Sequence, residues 1–318
     1  AGGSGFVVGG VVTQTAGWQV IFLAGVPLAM LLAILVVRAV PETDDDRADG
    51  HLDVTGAVLL TCSVMALVLG AAAVEQPASR SVGLLALAIG VVLLPAFVRS
   101  QRRSTAPLLP ARAVRDRRLR VGAATAFVNT ATTSSAVTLA TLELQESGGL
   151  SPSAAGLNLL PVSLGVVVGA AAAAPALRRL RPRTVLGMGL GGIAVGSAAL
   201  IAAATGAWLV PVAVAVLGVG LGLSSVASTT LGTDVPTDRQ GTASGALNTM
   251  AQLGTALGVA AMLLTASTVD RLGLAFSGAQ LAWALAAAAA LVTAVVVVLH
   301  DRTAASSASR DPAQTAAR

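Results

Sequence analysis

The chain has 318 residues, of which 20 are basic and 15 acidic, and its mean hydropathy is +0.81. Charged residues supply about a quarter of an ordinary soluble domain but 11% here, so the composition excludes a water-solvated globular surface and requires a bilayer. Every basic residue is Arg, yet Tyr is absent and aromatic residues are 3% of the chain, so a basic groove with stacking aromatics for nucleic acid is excluded too.

Ala1 to Val12 is apolar and Gly-rich but would rise only about 18 Å as a helix, too short to cross the hydrocarbon. Nine apolar stretches of spanning length follow: Trp18 to Val40, Val54 to Val74, Val82 to Val98, Val121 to Leu142, Ala155 to Leu177, Val185 to Ala204, Ala207 to Leu231, Ala243 to Ser267 and Leu274 to Leu299. A helix of roughly 20 residues crosses about 30 Å of hydrocarbon, and these lengths fit once tilt is allowed. The fold class expected is therefore an all-α polytopic membrane protein with nine complete transmembrane helices and one partial helix. Cys62, alone of its kind, lies in an apolar run and reads as core filler, with no disulfide or thiolate cage available.

If the spans alternate, the loops on one side together with the tail collect all the Arg residues except Arg80 and Arg271. Cytoplasmic loops retain cations, so the C-terminus is expected in the cytoplasm. The connection over 41–53 is acidic and that over 99–120 is basic, the latter a solvated linker or an interfacial segment on anionic lipid. The tail over 300–318 is Ala/Ser-rich and expected to be disordered. His51 and His300 have no Cys or carboxylate at ligand spacing, so neither a metal nor a cofactor is expected.

No Asp, Glu, Arg or His falls in the middle of a span, although intramembrane ionisable residues are the usual mark of proton relays and ion paths. Uncharged polar residues are instead arranged in stripes. Thr130, Ser134, Thr138, Thr141 and Gln145 fall within an arc of about 80° on one helix, with Asn129 on a second arc. Ser244, Asn248, Gln252 and Thr255 share another such arc, while Gly254 and Gly258 point roughly 100° away. Ser and Thr can bond their own backbone, so these stripes are either the wall of a wet cavity or glue between helices. Small-residue pairs recur at Gly165 and Gly169, Gly187 and Gly191, Gly192 and Gly196, and around Gly218 to Gly222. No Ser/His/Asp set, phosphate loop or intramembrane carboxylate pair is present, so an enzyme is not expected.

The run Gly5-Phe6-Val7-Val8-Gly9-Gly10, then Gly17-Trp18 and Val26-Pro27, resembles the antiporter signature of the fourteen-span drug:proton antiporters of the major facilitator superfamily. Pro107-Leu108-Leu109, Leu150-Ser151-Pro152, Leu160-Pro161, Gly241 to Gly245, Asn248 and Gln252-Leu253-Gly254 are similar to that family in the same order. The resemblance covers essentially the whole chain up to Leu299. It implies that residues 1–40 are the end of span five and span six, 54–98 the extra helix pair between halves, and 121–299 the complete C-terminal six-helix half. On this mapping the first four spans are absent, and with them the coupling carboxylate, so the chain alone is expected not to transport.

The activity implied is proton-coupled efflux of drugs or other amphipathic organic compounds by alternating access. Transport of another small solute, or a non-transporting scaffold or receptor, are the alternatives. Asn129, Thr130, Ser134, Thr138, Gln145, Asn248 and Gln252 would line the substrate cavity. Gly5, Gly9, Gly10, Gly165, Gly169, Gly254 and Gly258 would form the antiporter signature and the seam between halves. Gly5 and Gly9 are expected against Gly165 and Gly169. Arg179 and Arg183 would belong to a cytoplasmic gate loop. The expected partners are membrane lipid, substrate and protons, and the missing N-terminal half or a second copy, in a bacterial inner (plasma) membrane. The sequence departs from the family pattern at Phe6, where Pro is usual, at Gly25 for Asn, and at Arg178 and Arg181, where the gate loop usually has Asp and Gly.

Overall fold

The computed structural model describes residues 2–17, 19–39, 53–75, 77–104, 107, 116–203, 208–273 and 276–308. Among these, ten α-helices follow one another: α1 (Gly2–Ala16), α2 (Gln19–Ala39), α3 (Val54–Glu75), α4 (Arg80–Arg103), α5 (Arg117–Leu142), α6 (Pro152–Arg179), α7 (Pro182–Ala203), α8 (Leu209–Gly232), α9 (Gln240–Leu272) and α10 (Gly278–Ala308). All except α1 and α5 are long and apolar enough to cross a membrane. Helix α1, at 15 residues, rises only about 22 Å. Helix α5 has the length, at 26 residues, but its Thr, Ser and Asn content lowers its apolarity.

Local chemistry accounts for several helix ends. Asp116 caps α5, its carboxylate accepting from the N–H groups of Arg118 at 2.7 Å and Leu119 at 3.2 Å. Ser151 caps α6 by accepting from Ala154 N–H, with Pro152 in the first turn, where its missing N–H costs nothing. Gly273 closes α9 in the left-handed region at φ 61°, a conformation that glycine adopts without Cβ strain. Asp53, at the end of the acidic connection, accepts from Gly56 N–H at 2.8 Å and so caps α3. The rest of that connection, 41–52, lies outside the described residues.

Two expectations about connections are corrected. The basic stretch over 99–120 is helical at both ends, because α4 runs on to Arg103 and α5 begins at Arg117. Most of the segment between them lies outside the described residues. The tail expected to be disordered continues α10 as far as Ala308, in keeping with the high helix propensity of its Ala residues; residues 309–318 lie outside the described part. Cys62 is also not core filler, since it is exposed.

Helix α8 is the axis of the C-terminal bundle, flanked by α6 and α7 and joined to α5. Its alternating glycines explain how. A Cβ on Gly218 or Gly222 would lie 2.1 or 2.2 Å from the carbonyl oxygens of Val162 and Val166 on α6. A Cβ on Gly220 would lie 2.5 Å from Gly189 O and Ile193 N on α7. Two residues along a helix turn through about 200°, so one short glycine run admits a backbone on each side. Leu186, Leu190 and Ile193 of α7 and Val214 and Leu217 of α8 are fully buried beside these contacts. On the other side of α5, Trp283 of α10 is buried and donates its indole N–H to Ala136 O at 3.2 Å.

Helices α3 and α4 form a hairpin whose backbones close at Gly70, Gly83 and Gly90. The buried Ser63 hydroxyl donates to Gly90 O at 2.8 Å. Helix α9 rests on α3, and the Arg271 guanidinium donates to Val74 O at 3.3 Å. Helix α1 packs against α6, whereas every described residue of α2 is exposed.

Candidate functional site

Helix α5 sits between α8 and α9, and its polar residues divide between them. Asn129, at the middle of α5 and buried, donates from Nδ2 to Ser225 Oγ at 2.9 Å and accepts at Oδ1 from Ser224 Oγ at 3.0 Å. An Asn amide cannot satisfy itself on its own helix as Ser and Thr can, so this fork fixes α5 to α8. One quarter turn round, Thr130 donates to Ala251 O on α9 at 2.6 Å, and Ser134 lies 3.3 Å from the Thr255 hydroxyl. Gly254 and Gly258 make that contact close. A Cβ on them would lie 2.3 Å from Phe127 O and 2.5 Å from the Ala131 Cα, respectively.

A cleft of about 320 Å³ opens beside these contacts, lined by Ala126, Asn129, Thr130, Ser225, Ser228, Thr229, Ser244, Leu247, Asn248 and Ala251. It brings together three of the seven cavity residues expected from the sequence: Asn129, Thr130 and Asn248. The other four stand elsewhere. Ser134 is half-buried against Thr255 in the α5–α9 contact, and Thr138 is half-buried farther along the same helix. Gln145 lies in a π-helical turn, Glu143–Ser147, beyond the end of α5. Gln252 is exposed on α9 and does not line the cleft. Of the outer part of the α5 stripe, Ser134 meets α9 whereas Thr141 donates to Val137 O of its own helix.

A larger cleft of about 680 Å³ shares Ser225 and Thr229 with the first and continues past Thr230 and Thr233 to Asp234 and Gln240. The polar lining of α8 was missed from the sequence. Its signal was present, since Ser224, Ser225, Ser228 and Thr229 recur at one-turn spacing in the last part of the span.

The glycine seam is rearranged. Gly165 and Gly169 close on Ala215 and Val219 of α8, and Gly254 and Gly258 on α5, so both pairs serve contacts within the C-terminal half. Close approach of the α8 backbone leaves that face of α6 unavailable to α1. Contact between α1 and α6 instead runs through Gly10, whose Cβ would lie 2.6 Å from Pro152 O, and through Gln14, which accepts from Ser153 Oγ at 2.5 Å. Gly9 has nothing within 4 Å of a notional Cβ, and the packing of Gly5 lies outside the described residues.

At the end of the bundle where α5 begins, Arg118 pairs with Asp234, which follows α8. Asp234 thus supplies an acid at this end although Arg178 replaces the usual one. Arg179 is exposed at the end of α6, and Arg183, at the start of α7, faces Arg117 and Arg120 of α5. Arg179 does not line the cleft that Arg183 borders. The contacts do agree with the alternation of loops: Arg118, Asp234, Arg117, Arg120 and Arg183 gather at one end, while Arg271 meets Val74 at an end of α3 assigned to the other side.

These features define a multi-pass helical membrane protein with a polar cleft where α5, α8 and α9 of its C-terminal bundle meet. The family profile of the Major Facilitator Superfamily matches residues 1–259 and 121–316, and the chain belongs to that family. It is 34% identical over 196 residues to the lincomycin resistance protein of Streptomyces lincolnensis, covering 59% of this chain and 40% of that protein. It is 30% identical over 277 residues to the tetracenomycin C resistance and export protein of Streptomyces glaucescens, covering 84% of this chain and 50% of that one. A third similarity is to the multidrug efflux pump LfrA of Mycolicibacterium smegmatis, 28% over 261 residues, or 81% and 52% of the two chains. The chain spans about half the length of these relatives. Membership in a transporter family, rather than any missing side chain, supports the non-enzymatic reading.

Proposed function

We propose that this chain contributes the substrate-binding C-terminal half of a proton-coupled exporter of amphipathic organic compounds, in a bacterial inner membrane with its C-terminus in the cytoplasm. The observation that carries the reading is the cleft where α5, α8 and α9 meet, in which the buried Asn129 amide meets Ser225 beside Asn248 and the apolar Ala126, Leu247 and Ala251. Substrate sites in this kind of fold lie near the midplane between repeats, and alternating access rocks one half against the other around them. A mixed apolar and uncharged lining suits large organic molecules held by surface contact with a few hydrogen bonds. The names of the relatives, which refer to resistance and export of antibiotics and other drugs, support efflux as the direction. The Arg distribution supports the orientation.

Along the α5–α8 contact, Arg118 pairs with Asp234, which lines the larger cleft, and would separate from it when α5 and α8 move apart. The proton carrier is not assigned to a described residue. Titrating the purified chain in detergent with a fluorescent cationic dye such as ethidium tests the site. Saturable binding weakened about tenfold or more in Asn129→Leu and Asn248→Leu supports it, and binding indifferent to both refutes it. Dye accumulation in efflux-deficient cells that also supply the N-terminal spans of a family transporter, with and without a protonophore, separately tests the coupling: export insensitive to the protonophore rejects a proton-driven cycle.

A further inference from the structure

Hydroxyl residues crowd the end of α8, and most of them turn back to their own helix. Ser224 reaches Gly220 O at 2.7 Å, Ser228 reaches Ser225 O at 3.0 Å, and Thr230 and Thr233 reach Val226 O and Thr229 O at 2.8 Å each. That is the usual way for Ser and Thr to satisfy themselves within a span. Ser225 and Thr229 are different: among the described residues their hydroxyls donate to no group. These two, one turn apart on α8, are also the pair that lines both the 320 Å³ and the 680 Å³ clefts. The Asn129 amide accounts for Ser225. Its Nδ2 donates to Ser225 Oγ at 2.9 Å, so Ser225 accepts there and keeps its own proton for another group. Ser224 has one proton and two acceptors in reach, Gly220 O and Asn129 Oδ1, the latter at 3.0 Å. Turning the amide over gives a second pattern, in which Ser224 bonds Gly220 O, Asn129 Nδ2 donates to Ser224 Oγ and Ser225 donates to Asn129 Oδ1. Both patterns pair the buried amide at its two ends. They differ in where the Ser225 proton goes, into the α5–α8 contact or into the cleft, and neither leaves a buried polar group unpaired, which is the costly outcome.

We propose that Ser225 is a specificity-determining donor that selects compounds carrying a ring carbonyl or ether oxygen, with Thr229 as a second donor one turn along and Asn129 as the residue that positions the Ser225 proton. The inference rests on the cleft's being the substrate site and narrows what that site takes. Ala126, Leu247 and Ala251 in the same lining supply the surface for the rings, and the hydroxyl supplies the discrimination. A site built to donate to an oxygen loses that bond with an analogue that lacks the oxygen. The plainer reading is that Ser225 serves only as the acceptor for Asn129 in the α5–α8 contact, and removing it would then affect ligands with and without the oxygen alike.

The test compares N-methylacridone, a neutral three-ring compound whose strong acceptor is its carbonyl, with N-methylacridan, the same skeleton without that oxygen. Binding of each to the 318-residue chain in nanodiscs is measured against empty nanodiscs. The unmodified chain should prefer N-methylacridone by about fivefold beyond partition into lipid. Ser225→Ala should bring the ratio close to parity, and Ser225→Thr, which keeps a hydroxyl, should retain the preference. Asn129→Leu should lower the ratio, because Ser225 can then turn back to Leu221 O of its own helix. Thr265→Val, which removes a hydroxyl that donates to Ala261 O on α9 and lines neither cleft, should leave the ratio unchanged. Equal binding of the two probes by the unmodified chain, a measurement that needs no variant, overturns the proposal, as does a preference that survives Ser225→Ala. If ethidium still binds saturably when the two probes bind equally, the selectivity alone is rejected and the site stands; if neither ethidium nor either probe binds, both readings fall.

Discussion

Helices α2 and α5 invert the pattern of a soluble protein. α2 consists almost wholly of apolar residues and every described one is exposed, whereas α5 is less apolar than the other long helices and buries Thr125, Asn129, Thr132, Thr133 and Ser135. In a bilayer, apolar side chains gain nothing by leaving lipid for protein, so hydrophobic burial does not choose the interior. What selects the interior there is close backbone approach at small residues and the satisfaction of polar groups that lipid cannot solvate. The comparison teaches that hydropathy alone does not mark the core of this fold, since apolar side chains lie both on α2, exposed, and among the buried residues of α7 and α8.

The sharpest way to break that comparison is to add bulk at a buried glycine. Gly169→Leu or Gly222→Val places carbon 2.1 to 2.2 Å from a backbone oxygen on the facing helix, and should cost about 3 kcal/mol or more, read as loss of a cooperative thermal transition in detergent. Gly25→Leu on α2, with nothing within 4 Å of the notional Cβ, should leave the transition within about 0.5 kcal/mol of the parent. Comparable losses for the two would abolish the distinction between the helices.

Next in size is Asn129→Leu, which leaves Ser224 and Ser225 without their side-chain partner across the α5–α8 contact. About 1 kcal/mol of stability should be lost, together with the dye binding described above. Asn129→Ser should restore part of both. A smaller effect, about 0.6 kcal/mol, is expected for Thr130→Val, which removes the hydrogen bond to Ala251 O on α9. Gln252→Leu should change neither dye binding nor melting temperature, since Gln252 is exposed outside the cleft; a tenfold loss of dye binding in this variant would return it to the site. A small effect is also expected for Asp234→Asn. Its pair with Arg118 is exposed on both sides, so its removal should alter stability by less than about 1 kcal/mol, measured at low and high salt.

Much of the architecture was legible before folding. Span positions, the brevity of α1 and the alternation of the loops follow from runs of apolar residues and from Arg placement, because crossing a bilayer is a property of one segment and its flanks. The two-sided character of α9 was legible for the same reason, as angular spacing on a single helix. Gly254 and Gly258 do lie on its packed side, while Ser244, Asn248 and Gln252 are exposed. The extension of α10 to Ala308 was obscured by composition, since Ala and Ser serve both helix and loose tail.

Which helix meets which face was decided only in three dimensions. Gly165 and Gly169 have the same spacing whether their partner is α1 or α8, and the answer depends on Gly218 and Gly222 lying 53 residues away with matching gaps. The stripe of α5 likewise has one angular pattern but two fates: Ser134 is taken up by Thr255, while Thr130 both bonds to α9 and borders the cleft with Asn129. Periodicity assigns a residue to a side of its own helix, and the occupant of that side is a property of the neighbour's surface. Pairing between helices is set by steric fit and hydrogen-bond partners distant in the chain, and neither is encoded in the local apolar pattern that builds the spans.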